Sequence, residues 1–159
     1  MRMTGAVAAM SKPSRTFVIA SPNASRAFFG DLGRDGFDVA PSVPVVLLDD
    51  VEAARDALKP YYALYIGGMG SRGKNFYNAL FARYGYEAEA QAIQDAYLDG
   101  RQRDAAALVP DRFVDEAALV GPKERIAERL EVYRDSGATT LLLSTRQPEA
   151  LRAVAELAL

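Results

Sequence analysis

Apolar and polar positions along the chain alternate between two periodicities. Val43, Val45, Val46, Leu47 and Leu48 form an apolar run between Pro41 and Asp49, with the length and composition of a strand buried on both faces. Asp49 and Asp50 then supply an N-cap and an acidic first turn, and Val51, Ala54, Leu58, Tyr61, Tyr62 and Tyr65 recur at spacings of three and four. That spacing predicts a helix with one apolar stripe. Pro60 lacks the amide that would bond the Asp56 carbonyl, so the helix should break or kink there and stop at Gly67 and Gly68.

A second helical stretch follows. Phe76, Leu80 and Phe81 predict a short helix ending near Gly85; Tyr86, Ala90, Ile93 and Tyr97 predict another, closed by Gly100; residues 101–109 continue as a third piece up to Pro110. Residues of about 68–112 therefore read as an all-helical insertion. The strand pattern returns at 117–120, and Pro122 suits the first position of a helix whose face is Ile126, Ala127, Leu130 and Tyr133, with Gly137 as its cap. A further buried strand is expected at 139–143, and Pro148 opens a last helix with Leu151, Val154, Ala155 and Ala158 on one side. Three strand–helix units in series imply parallel strands and right-handed crossovers, an α/β fold too short for a closed barrel.

The first residues differ. Between Met1 and Arg34, Arg2, Lys12, Arg15, Arg26 and Arg34 stand against the single acid Asp31, and Ser, Pro, Asn and Gly interrupt each apolar group. Residues 1–36 read as a weakly structured basic arm ahead of a folded part at 37–159.

Composition narrows the chemistry. With 159 residues, half of them apolar and a quarter charged, the chain is long enough to bury a core. The net charge of −2 gives no global field for nucleic acid. There is no Cys, His or Trp, which excludes disulfides, Cys/His zinc sites, thiolate nucleophiles and imidazole-based triads. The apolar run before Asp49 and Asp50 suggests a magnesium carboxylate, but capping accounts for both acids and no metal is expected. Glu87, Glu89, Asp115, Glu116, Glu124, Glu128 and Glu131 fall on expected solvated helix faces or first turns. No apolar run has the length of a membrane span, and the stretch from Gly5 to Met10 is too short for a signal sequence, so a cytoplasmic protein is expected.

The stretch from Gly68 to Asn75 has the spacing of a phosphate loop, in which Gly68 and Gly73 are followed by Lys74. Asn75 stands where a Ser or Thr would hold magnesium, and the preceding residues read as helix, not strand. The competing reading is a structural loop with Arg72 and Lys74 exposed.

Longer segments resemble a known family. Phe37-Asp38-Val39-Ala40-Pro41, the run into Asp49-Asp50-Val51-Glu52-Ala53-Ala54-Arg55, and Tyr65-Ile66-Gly67-Gly68-Met69-Gly70 with Lys74-Asn75-Phe76-Tyr77-Asn78 are similar to the luciferase-like monooxygenases. The branch they resemble most is the oxidoreductases that use coenzyme F420, a deazaflavin. Asp115 to Pro122 and Ser136 to Leu143 resemble the final units of the same (β/α)₈ barrel. The resemblance implies the last three βα units of a TIM barrel of roughly 250 residues, carrying the helical insertion. It implies hydride transfer by F420 or alternatively FMN, with a small-molecule substrate, no metal and no catalytic residue that can be named. The part of the chain that holds most of the cofactor in the family has no counterpart here, so a truncated form inactive on its own is expected.

Loops after strand ends are the expected ligand side: Asp49 and Asp50, Gly121 and Pro122, Ser144 and Thr145. Arg72, Lys74, Asn75 and Ser144 are the candidate cofactor- or substrate-binding residues. Two other readings stay open, a non-catalytic interaction module and a phosphate-loop nucleotide binder. Unpaired sheet edges lead us to expect self-association or a covering partner, with Phe17, Val18 and Ile19 of the arm able to cover one edge.

Overall fold

The computed structural model describes residues 39–136 and 138–158. The basic arm, the Phe37–Asp38 start of the family resemblance and the expected cap at Gly137 lie outside the described residues.

Two compact units are present. One contains residues 39–49 and 116–158 and holds a three-stranded parallel sheet. Its strands are β1 (Ser42–Leu47), β2 (Leu119–Gly121) and β3 (Leu142–Ser144), in the order β2-β1-β3. Val45, Val46 and Leu47 pair with Leu119, Val120 and Gly121, while Ser42, Val43 and Pro44 pair with Leu142, Leu143 and Ser144. Three consecutive barrel units would put the middle strand of the chain in the middle of the sheet. Here β1 is central instead, and the connection from β2 to β3 crosses it.

That connection is the helix Lys123–Arg134, and the helix Pro148–Ala158 closes the unit. The core comprises Val43 and Val45 of β1, Leu119 of β2, Ile126, Leu130 and Tyr133 of the crossing helix, and Ala150 and Val154 of the last helix. Each fully buried branched side chain is worth roughly 1.5–3 kcal/mol of transfer free energy. The strand pattern is less symmetric than expected. Val43 and Val45 are buried whereas Ser42, Pro44 and Val46 are half-buried, so β1 has one dry face.

The expected strand at 139–143 begins later, at Leu142. Ahead of it the Thr139 amide donates to the Val39 carbonyl at 3.0 Å, and the Thr139 hydroxyl accepts from the Val39 amide at 3.0 Å, so residue 139 meets Val39 with one backbone and one side-chain bond. β3 is also an exposed edge, with Leu142 49% accessible. Pro122 stands one position earlier than expected, as the extended N-cap of the crossing helix. The last helix buries Ala150, Ala153 and Val154 and leaves Leu151 44% exposed, because its small-residue side faces the core.

The second unit, Asp50–Asp115, is helical. It starts ahead of the expected 68–112 insertion because the helices after β1 fold with it. Its elements are α1 (Val51–Asp56), α2 (Lys59–Ala63), a π-helical turn (Leu64–Gly68), α3 (Phe76–Arg83), α4 (Glu87–Leu98), α5 (Gln102–Ala107) and α6 (Asp111–Ala117), which ends two residues into the other unit. The helices of the sheet unit follow as α7 (Lys123–Arg134) and α8 (Pro148–Ala158). The break foreseen near Pro60 falls at Ala57 and Leu58, which leaves Pro60 in the first turn of α2, where a missing amide costs little. Tyr62 packs edge-on against Phe113 at 5.0 Å, and Phe81 packs on Phe113 at 4.7 Å. Tyr61, expected on the buried stripe, is 40% exposed.

Candidate functional site

Parallel strands share one carboxyl edge, and loops there carry the ligands of α/β folds. Here that edge is staggered. β2 ends level with Leu47, but β3 ends level with Pro44, three residues or about 10 Å short along the strand. Gly121 and Ser144 therefore occupy different heights at the carboxyl edge.

Each candidate at this edge has a distinct environment. The Gly121 carbonyl accepts from the Leu48 amide at 3.2 Å, and Gly121 adopts φ +112°, a conformation that suits glycine. Pro122 then starts α7 without any side-chain cap, so the first amides of this twelve-residue helix are unclaimed by a capping side chain. Asp50 caps α1: its Oδ1 accepts from Glu52 and Ala53 amides at 2.9 and 3.2 Å. Asp49 and Ser144 are exposed. The Thr145 hydroxyl accepts from the Gln147 amide at 3.1 Å.

Sequence reasoning did not find Gln147. Its side-chain Oε1 accepts from the Leu47 amide at 2.9 Å and its Nε2 donates to the Leu47 carbonyl at 3.0 Å. The only sequence signal was a carboxamide just before the helix-opening Pro148.

Arg72, Lys74 and Asn75 belong to the helical unit. The Arg72 guanidinium is exposed and donates to Asp95 at 2.8 Å, with Asp99 at 3.6 Å; these carboxylates hold it above the usual arginine range. Lys74 is exposed and its amide donates to the Ser71 carbonyl at 2.9 Å, closing a turn around Gly73 at φ +74°. Asn75 is buried, and both sides of its amide are engaged. Its Nδ2 donates to the Tyr65 and Ile66 carbonyls, each at 3.0 Å, and its Oδ1 accepts from the Tyr77 and Asn78 amides at the start of α3.

The phosphate-loop reading is not favoured by this geometry. A helical turn, not a strand, leads into the glycines, the Lys74 amide is spent on its own turn, and Asn75 has no free donor. Gly67 and Gly68 have another reason to be glycine, since a Cβ at either would come within 2.5 Å of Tyr97. Asp115, expected on a solvated face, is half-buried and grips Arg55 through two bonds of 2.9 and 2.7 Å. Among the described residues no group of three or more acidic side chains could hold a metal ion, and no helix is long and apolar enough to cross a membrane.

Comparison with known proteins is consistent with this fold. The chain is 32% identical over 124 residues to a protein of Mycobacterium tuberculosis assigned as a coenzyme F420-dependent oxidoreductase, a match covering 78% of this chain and 36% of that protein. Its structure is similar to the coenzyme F420-dependent tetrahydromethanopterin reductase of Methanopyrus kandleri, with a TM-score of 0.58 and 20% identity over 86% of this chain and 39% of that one. The chain thus spans little more than a third of the length of either relative. The luciferase-like monooxygenase family profile matches residues 17–140. With that match over most of its length, the chain belongs to the luciferase-like monooxygenase family.

Proposed function

We propose that this chain contributes the carboxyl-edge part of a ligand site in an F420-dependent oxidoreductase, and that F420 rather than FMN is the cofactor. The observation that supports this most is the relative of Mycobacterium tuberculosis, assigned as F420-dependent and 32% identical over 124 residues. When bound, the deazaflavin supplies hydride transfer, and the protein's work is to hold and orient it.

The residues present suit such a group. The start of α7 after Gly121 has amides without a side-chain cap, a place where an anionic cofactor tail is stabilised. Ser144 and Asp49 are exposed at the same edge and offer a hydroxyl and a carboxylate. Arg72 is given no ligand role, because Asp95 and Asp99 already pair it, and Lys74 is an exposed cation of the helical unit taken by itself. Asn75 is given no ligand role, because its amide is consumed inside the fold.

The 159-residue chain alone does not turn over in this reading, since it corresponds to 36% of the oxidoreductase it resembles. The test is a fluorescence titration of the purified chain with F420 and, separately, with FMN. F420 should bind more weakly than micromolar yet more tightly than FMN. Preference for FMN contradicts the cofactor assignment, and saturable micromolar binding of F420 contradicts the view that this part holds only a fraction of the site.

A further inference from the structure

The β1–β3 ladder ends at Pro44 and Ser144, yet β1 continues to Leu47. An edge of backbone left in this way has an amide and a carbonyl to satisfy. Gln147 meets both at Leu47. Its carboxamide is the side-chain equivalent of a peptide group, with one acceptor and a donor in one plane, and it presents them at 2.9 and 3.0 Å to the amide and carbonyl of the same residue. Backbone bonds fix Gln147 from its own side: its amide donates to the Thr145 hydroxyl at 3.1 Å, and its carbonyl accepts from Ala150 in the first turn of α8 at 3.1 Å.

We infer that Gln147 is a positioning residue: its side chain stands in for the strand residue missing beyond Ser144, ends the β1–β3 ladder there, and sets where β1 leaves the sheet. The next residue is held from the opposite edge, by the bond from the Leu48 amide to the Gly121 carbonyl at 3.2 Å. Leu47 and Leu48 are thus clamped to opposite neighbours, and Asp49 is the first residue beyond the clamp. The direction of the Asp49 segment follows from the carboxamide of Gln147, just ahead of α8, not from a longer β3. This inference rests on the sheet alone and stands whether or not F420 is the ligand.

The chemistry of the carboxamide provides the test. Gln147→Leu removes donor and acceptor together. Gln147→Glu keeps the acceptor for the Leu47 amide, but its ionised form sets a carboxylate against the Leu47 carbonyl; its protonated form restores a donor. The glutamate can pair fully only when protonated, so its pKa rises on folding and the clamp is present at low pH and lost as pH rises.

Amide exchange is measured on the full chain by NMR and expressed as protection relative to the intrinsic rate at each pH. In Gln147→Leu the Leu47 amide should lose about tenfold in protection while Val45 is unchanged. In Gln147→Glu, Leu47 protection should be near wild type in acid and fall on passing to neutral pH, with no such step in the wild type. Unchanged Leu47 protection in Gln147→Leu overturns the inference, as does an equal loss through the whole sheet. If Gln147→Leu does not fold, the pH step in Gln147→Glu decides alone, and its absence overturns the inference.

Discussion

Gly67 lies so close to Tyr97 that a Cβ on the glycine would stand 2.5 Å from the Tyr97 Cβ and 3.1 Å from the Ile93 carbonyl oxygen. Both atoms are fixed to α4 and neither can swing aside. In Gly67→Ala the helix-propensity gain of about 1 kcal/mol is outweighed by overlap, and a net loss of about 2 kcal/mol is expected. Denaturant midpoints of the two proteins check this. Equal stability would mean that the π-helical turn can move away from α4.

Asn75 joins the end of that turn to the start of α3. Asn75→Ala loses the cap and takes a donor from the Tyr65 carbonyl, while the Ile66 carbonyl keeps the Asn78 side-chain amide at 3.1 Å, so a loss of about 2 kcal/mol is expected. Asn75→Asp separates the two parts of the role, since it retains the capping acceptor but sets a charge against two carbonyls. It should also be destabilised at neutral pH and recover on acidification as the carboxyl becomes protonated. Chemical denaturation across pH measures this, and wild-type stability of Asn75→Asp would reduce Asn75 to a cap.

These contacts mark what the sequence could and could not convey. The order of strands and helices was legible because valine-rich runs and three-four spacings report burial directly. The stagger of the sheet was not, because where the β1–β3 ladder stops the Leu47 amide and carbonyl are met by the Gln147 side chain, which no periodicity encodes. α6 was missed because Phe113, Val114 and Ala117 span a single pair of turns, and the apolar residues that follow it look like one continuous strand. The spacing from Gly68 to Lys74 suggested phosphate for the opposite reason: Gly68 lies against the Tyr97 ring and Gly73 turns the chain at φ +74°, so contact and backbone conformation place glycines there without a ligand.

Stability should fall in alkali. Asp111 and Asp56 hold the Lys59 ammonium above its ordinary 10.5, and burial, aided by Tyr65, pushes the Tyr61 phenol from 10.0 up to about 12. Both folded-state values lie above the unfolded ones, so both contributions are complete below pH 10.0 and are lost as pH rises through the raised values. Denaturation midpoints followed from neutral pH to about pH 12 should decline most steeply above 10.0, and Tyr61→Phe should flatten that decline. A phenolate absorbance titration in which every tyrosine ionises near 10.0 would contradict the assignment.

Among the described residues β3 is a three-residue edge strand with Leu142 49% exposed. We propose that two copies of the chain associate through this edge, with the exposed Leu142 as the apolar surface they share. Sedimentation at several concentrations should show reversible association, weakened in Leu142→Lys by the charge placed at the edge. A monomer at all concentrations contradicts the proposal.

A map of backbone amide shifts as F420 is added to the chain shows whether the carboxyl edge of the sheet takes the cofactor. Shifts within the sheet unit should be confined to its carboxyl edge, at Leu48, Asp49, Gly121, the first amides of α7, Ser144 and Thr145, with half-saturation above the micromolar range. Shifts centred instead on the amino ends of the strands, around Ser42 and Leu142, or no shift at the carboxyl edge at any attainable concentration, would contradict that placement.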